Sequence, residues 1–112
     1  GICPIGWHIP TLAEFQTLST TVVGNGNALK EIGQGTGAGA GTNASGFSAL
    51  LSGCRNYDGY FYNLGSYTDF WSSTELNTLR AYYVYLDSFG GGIYVNYYTY
   101  VDYGLSVRCV KD

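Results

Sequence analysis

The stretch Arg80-Ala-Tyr-Tyr-Val-Tyr-Leu-Asp-Ser-Phe-Gly-Gly-Gly-Ile-Tyr-Val-Asn-Tyr-Tyr-Thr-Tyr-Val-Asp-Tyr-Gly-Leu-Ser-Val-Arg-Cys109 decides how the chain is read. Eight of the chain's 12 tyrosines fall in it. Its pattern predicts three strands, Ala81–Leu86, Gly92–Tyr98 and Leu105–Val110, the first two neighbours across the Gly90-Gly91-Gly92 turn. Period-two alternation puts Tyr82, Val84 and Leu86 on an apolar face, with Tyr83, Tyr85 and Asp87 opposite. In the second strand Ile93, Val95 and Tyr97 point one way, and Tyr94, Asn96 and Tyr98 the other. Thr99–Tyr103 extends the polar–aromatic face as a loop. Leu105, Val107 and Cys109 are the inward set of the third strand.

Working outward, Asp69-Phe-Trp-Ser-Ser-Thr-Glu75 reads as a further strand with Trp71 inside. Tyr57-Asp-Gly-Tyr-Phe-Tyr62 reads as a hairpin bent at Asp58-Gly59. Asn43–Gly53 is a turn leading into a short buried strand. Gly33-Gln-Gly-Thr-Gly-Ala-Gly-Ala-Gly-Thr42 is low-complexity and reads as a flexible surface loop. It lacks the spacing of a phosphate cradle, and no predicted strand leads into it. Near the start, Thr11-Leu-Ala-Glu14 forms a capping box. Leu12, Phe15, Leu18 and Val22 follow at helical spacing, and Gly24 stops the helix near Val23. A shorter helical piece is expected over Asn27–Ile32, with Leu29 and Ile32 buried. Helix comes early and antiparallel strands come late, which makes an α+β domain spanning residues 1–112.

A 46% hydrophobic content over 112 residues suffices for one core. No apolar run approaches the ~20 residues a membrane span requires, and no signal peptide opens the chain, so direct membrane insertion is not expected. Charged residues make up only 12%, the net charge is −3 and no basic cluster exists, which argues against nucleic acid as a partner. The cysteines are Cys3, Cys54 and Cys109. Two readings of them are open. Three reduced, buried thiols would suit a cytosolic protein. A Cys3–Cys109 bridge would close a loop of about 100 residues, worth roughly 4–5 kcal/mol, suit an exported domain and leave Cys54 odd.

His8 is the only histidine. Neither a nucleophile nor an orienting acid is indicated for it, and the expected role is structural, tying down the N-terminal turn. The carboxylates are scattered, with no metal-ligand or paired-acid pattern, so no cofactor, metal or catalytic residue is expected and the chain is not read as an enzyme. The informative signal is tyrosine. It offers a large amphipathic surface with few rotors to freeze, and a hydroxyl for hydrogen bonds. Strand preference accounts for Tyr82 and Tyr97 but poorly for the rest. The expected contact set is Tyr83, Tyr85, Asp87, Tyr94, Asn96, Tyr98, Tyr100, Asp102 and Tyr103, facing a protein or glycan ligand.

Three stretches carry a family resemblance: Cys3-Pro-x-Gly-Trp-His-x-Pro-Thr11 with Glu14; Gly41-Thr-Asn-x-Ser-Gly-Phe-Ser-Ala-Leu50; and Trp71-Ser-Ser-Thr-Glu75 followed by Gly104-x-Ser-Val-Arg-Cys-Val-Lys-Asp112. In order and spacing they resemble the Fibrobacter succinogenes major paralogous domain. The resemblance implies a C-type-lectin-like fold related to the formylglycine-generating enzymes, with one or two N-terminal helices packed on antiparallel strands. It also implies that the termini lie close together, with Cys3 near Cys109, and that the setting is the surface or exterior of a bacterial cell. The calcium–sugar motifs Glu-Pro-Asn and Trp-Asn-Asp of lectins are absent, as is a counterpart of the copper-binding cysteine pair. The chain further resembles the variable proteins of diversity-generating retroelements, whose binding surfaces are diversified at adenines. That mechanism never yields Lys, Glu, Gln, Met or Trp, and none of these occurs from Ala81 to Val107. The expected function is a surface-displayed ligand-binding module; the alternative is a structural or assembly domain of a cell-surface protein.

Overall fold

A computed structural model of the chain describes all of residues 1–112. Its regular elements are β1 (Trp7–His8), α1 (Leu12–Thr21), β2 (Cys54–Arg55), β3 (Phe61–Tyr62), β4 (Tyr67–Asn77), β5 (Arg80–Asp87), β6 (Tyr94–Tyr100) and β7 (Val110–Lys111). β4, β5 and β6 form one antiparallel sheet in that order, while β1 pairs with β7 and β2 with β3 as two-stranded ribbons. The architecture is mixed α+β, as the order of sequence patterns predicts.

α1 starts where its cap dictates. Thr11 Oγ1 accepts from the Glu14 amide at 3.1 Å, and Glu14 Oε2 accepts from the Thr11 amide at 2.8 Å, so two orphan donors are satisfied reciprocally. It ends where Val23 and Gly24 both adopt positive φ, 56° and 68°. Phe15 is its fully buried residue, and Leu18 and Val22 pack against the core. That core joins Phe15, Leu29 and Ala49 to Phe70, Val84 and Leu86, the inner face of β4 and β5. Alternation on β5 therefore reads as expected.

The chain ends meet. Trp7 pairs with Lys111 and His8 with Val110, and Cys3 is disulfide-bonded to Cys109. His8 adds a clasp: its Nδ1 lies 2.6 Å from Asp112 Oδ1 and its Nε2 2.9 Å from Glu14 Oε2. These two carboxylates hold the imidazole pKa above its ordinary value. The structural role expected of His8 is the one observed.

Four expectations are corrected. Ile32 is 76% exposed, and the residue buried beside Leu29 is Lys30. The helical piece there is a single 3-10 turn, Gly26–Ala28, after which Lys30 forms a bridge to Ala49 with its side chain buried. The glycine run is packed rather than loose: a Cβ on Gly39 would lie 2.3 Å from Ser88 O, and one on Gly41 2.4 Å from Glu31 O. Glycines stand there because backbone approaches backbone. Lys30 Nζ pins the assembly by donating to the carbonyls of Gly39, Asp87 and Gly90. The third predicted C-terminal strand reduces to isolated bridges at Gly104 and Ser106 and to the short β7. Trp71, expected inside, lies on the outer face of the sheet, where it packs edge-on to Tyr83 at 6.5 Å.

Candidate functional site

On β4 and β5 the outer face of the β4-β5-β6 sheet is built from odd-numbered positions. Asp69 is the register partner of Tyr85, and Trp71 that of Tyr83. Across the other ladder Tyr83 pairs with Tyr97 and Tyr85 with Tyr94. Between those two pairs Val84 alone faces both Val95 and Asn96, a β-bulge in which Asn96 takes φ 67°. One extra residue inverts alternation beyond it, so Tyr94 and Tyr97 share a face.

This bulge corrects the expected contact set. Tyr97, expected on the same side as Ile93 and Val95, is 47% exposed and belongs to the outer tyrosine cluster. Asn96 and Tyr98 belong to the helix side instead. Asn96 Oδ1 accepts from Gln16 Nε2 of α1 at 2.7 Å, and Tyr98 packs edge-on to Tyr82 at 5.9 Å. Tyr100 pairs with Arg80, which donates to its hydroxyl at 2.6 Å and lies over its ring. Asp87 is buried; its Oδ1 caps the turn by accepting from the Phe89 and Gly90 amides, both at 2.8 Å. Asp102 is exposed in the loop after β6, and Tyr103 packs against Tyr57 at 6.0 Å. Of the predicted contacts, Tyr83, Tyr85 and Tyr94 are brought together, while Asn96, Tyr98, Tyr100 and Asp102 lie apart from them.

The rings form a layer. Tyr85 stacks on Tyr94 at 4.4 Å and 12°, meets Tyr97 edge-on at 5.2 Å, and neighbours Tyr83 and Tyr67, each at 6.1 Å. A cleft of about 240 Å³ opens in this layer, lined by Asn63, Tyr67, Asp69, Tyr83, Tyr85 and Tyr97. Sequence reading missed Tyr67, Asp69 and Asn63. The signal for Tyr67 and Asp69 was the alternation Tyr67, Asp69, Trp71 in β4, legible only once β4 is paired with β5; Asn63, in the connection between β3 and β4, carried none. A larger apolar groove of about 370 Å³, with Trp7, Phe15, Leu18 and Phe47 in its wall, contains none of the predicted contacts.

Burial pushes the Asp69 carboxyl up from 3.8 to about 6, and the Cys54 thiol beside it pulls the other way without cancelling the effect. Burial and the Asp69 charge raise Tyr83, and burial with a Tyr97 hydrogen bond raises Tyr85 to about 12. These two phenols therefore stay protonated and able to donate at neutral pH.

The Asp69 shift has a pH consequence. A carboxyl harder to ionise in the fold than in the unfolded chain contributes its full stability below 3.8 and loses it as pH rises through about 6. A shift of that size corresponds to about 3 kcal/mol, which solvent screening of the partly exposed group reduces to about 1–2 kcal/mol. Asp69→Asn is thus expected to match wild type near pH 4 and to exceed it by that amount at pH 8. Urea unfolding of both proteins across this range checks it, with the difference at each pH cancelling the titration of His8. Parallel stability curves would show that burial of Asp69 carries no such penalty.

No curated protein and no solved structure gives a match to this chain. The sequence model of the Fibrobacter succinogenes major domain matches residues 1–111, and the chain belongs to that family.

Proposed function

We propose that the domain is a surface-displayed ligand-binding module, carried on a C-type-lectin-like frame, that takes its ligand on the outer tyrosine layer of the β4-β5-β6 sheet. The observation carrying this reading is that Tyr67, Tyr83, Tyr85, Tyr94 and Tyr97 mass on the side of the sheet away from the core. Aromatic rings at such density, half-buried and ringed by exposed groups, are what a contact surface needs to bury area at low entropic cost. An apolar rim adjoins them in the β2–β3 hairpin, where Tyr57, Tyr60 and Phe61 are 72%, 69% and 81% exposed. The role is binding rather than catalysis, and the partner is a protein or a glycan outside the cell. The Cys3–Cys109 staple suits export.

Screening the domain against a glycan and surface-protein array tests this. The ligand found is expected to bind at least about tenfold more weakly to a Tyr83→Ala/Tyr85→Ala/Tyr97→Ala variant, since central aromatic contacts contribute ~2 kcal/mol or more each. Undiminished binding by a folded triple variant would move the ligand elsewhere. The assembly reading draws on the same exposed hairpin, and it would be favoured if the isolated domain self-associates through Tyr60 and Phe61. Diversification by a retroelement is checked in the gene's neighbourhood, by a reverse transcriptase and a near-copy template of the segment encoding Ala81–Val107.

A further inference from the structure

We propose that the cleft around Asp69 is a cation cage that takes an alkylammonium group, its charge against the Asp69 carboxylate and its methyls or methylenes against the surrounding tyrosine rings. The proposal rests on the tyrosine layer being a binding surface and specifies what that surface selects.

Charge is the first argument. Asp69 is the one carboxylate lining the cleft, and the fold supplies it no cation. The ion pairs of the chain are those of His8. Lys30 is enclosed by backbone carbonyls, Arg80 lies over Tyr100 and Arg108 over Phe47. Arg55 packs against Gly104, and Lys111 lies in β7 at the terminal ribbon. A ligand cation would supply the missing counter-charge, whereas an anion would be repelled.

The walls are the second. Tyr67, Tyr83, Tyr85 and Tyr97 surround the carboxylate, and aromatic faces carry the negative end of the ring quadrupole. Rings and carboxylate therefore favour the same sign of charge. A quaternary or alkyl ammonium, weakly hydrated and coated with C–H groups, suits such walls better than a bare metal ion. Size is the third. At about 240 Å³ the cleft is smaller than pockets that enclose whole drug-sized ligands, and it fits one head group or one side-chain tip. Holding a half-buried, unpaired carboxylate there disfavours the folded state at neutral pH, a pattern typical of functional groups rather than of packing.

The same chemistry is offered by a lysine side chain on a protein and by a free choline-type head group, so the test has an arm for each. Chemical-shift titrations of the labelled domain are run with choline chloride, with Nα-acetyl-lysine N-methylamide, and with the neutral isostere 3,3-dimethylbutanol. At least one amine is expected to shift the amides of Tyr67, Asp69, Tyr83 and Tyr97, and to bind about tenfold more tightly than the alcohol. Asp69→Asn, which should fold at least as stably as wild type, is expected to lose about that tenfold. Because the Asp69 carboxyl is pushed up to about 6 and its neutral form keeps about a tenth of the affinity, binding should weaken about fivefold between pH 7.5 and pH 5. The other titratable groups around it are the Cys54 thiol of β2, Tyr67 of β4, the Tyr83 and Tyr85 phenols of β5, Tyr97 of β6 and Tyr103 of the following loop; Cys54, Tyr83 and Tyr85 are held above their ordinary values and keep their protons over that range.

Equal binding of the alcohol, indifference to Asp69→Asn, or silence with both amines would overturn the cage. If an array ligand still requires the tyrosines while both amines are silent, the binding face stands and the cage alone falls. If the triple tyrosine variant also keeps every array ligand, both fall.

Discussion

Lys30→Met is expected to remove about 3–5 kcal/mol of stability, a large part of the 5–15 kcal/mol available to a domain of this size. Lys30 has no exposed surface, and its ammonium donates to three carbonyls: Gly39 on the glycine loop, Asp87 at 2.7 Å and Gly90 at 3.0 Å at the β5–β6 turn. Burial lowers its pKa, with the Asp87 charge opposing. One could argue that deleting a buried charge is neutral or favourable, since its desolvation penalty disappears. That holds only when the partners are replaced as well. Here the acceptors are main-chain carbonyls that stay in place, and methionine fills the volume without a donor, so each carbonyl bears the penalty of an unmade bond. Damage should start locally. The amides of Thr36, Gly39 and Gly41, bonded to Ser88, Thr36 and Gln34, should lose hydrogen-exchange protection before those of β4 and β5. Exchange mapping combined with urea unfolding checks both parts; a variant with wild-type stability would show that the glycine loop is held by its own backbone contacts.

Much of the frame was legible because its determinants are local. Thr11 and Glu14 cap α1 across three residues, Asp58-Gly59 falls in the five-residue connection of a hairpin, and alternation from Ala81 to Leu86 sorts β5. The glycine run was misread because its reason is long-range: Gly39 is tight against Ser88, 49 positions away, and composition alone cannot distinguish a packed glycine from a mobile one. Asp87 was misread because the turn that engages its carboxylate begins where the strand pattern ends, although Asp followed by Ser-Phe-Gly carries a turn signal of its own. The exchange of Tyr97 and Tyr98 has a single cause. Alternation assumes an unbroken strand, and Asn96, of a residue type that tolerates positive φ, inserts the bulge that breaks it. The cleft itself could not be read within one strand, since Asp69 reaches the tyrosines only through the β4–β5 register.

Removing the Cys3–Cys109 bridge, by Cys3→Ser/Cys109→Ser or by reductant, is expected to lower stability by about 4–5 kcal/mol. The bridge joins residues 106 positions apart, so the unfolded chain it constrains is nearly the whole domain. The fold has little in reserve to absorb that loss, because only 18 of 112 residues are buried and the core centres on six side chains. What remains at the ends is a ribbon of two residue pairs and the His8 clasp to Glu14 and Asp112, whose members are all solvent-exposed and so hold weakly. Cys54 should not compete for the bridge. Burial and the nearby Asp69 charge hold its thiol above the ordinary value, so little thiolate is present at neutral pH to attack the disulfide. Cys54→Ser is therefore expected to unfold at the wild-type midpoint. Reduced and reoxidised wild type should recover the single Cys3–Cys109 pair on peptide mapping. Guanidinium unfolding with and without reductant measures the main effect. A reduced protein that keeps its midpoint would mean that the β1–β7 ribbon and the histidine clasp close the ends unaided, and that the covalent bond serves only to preserve the fold kinetically.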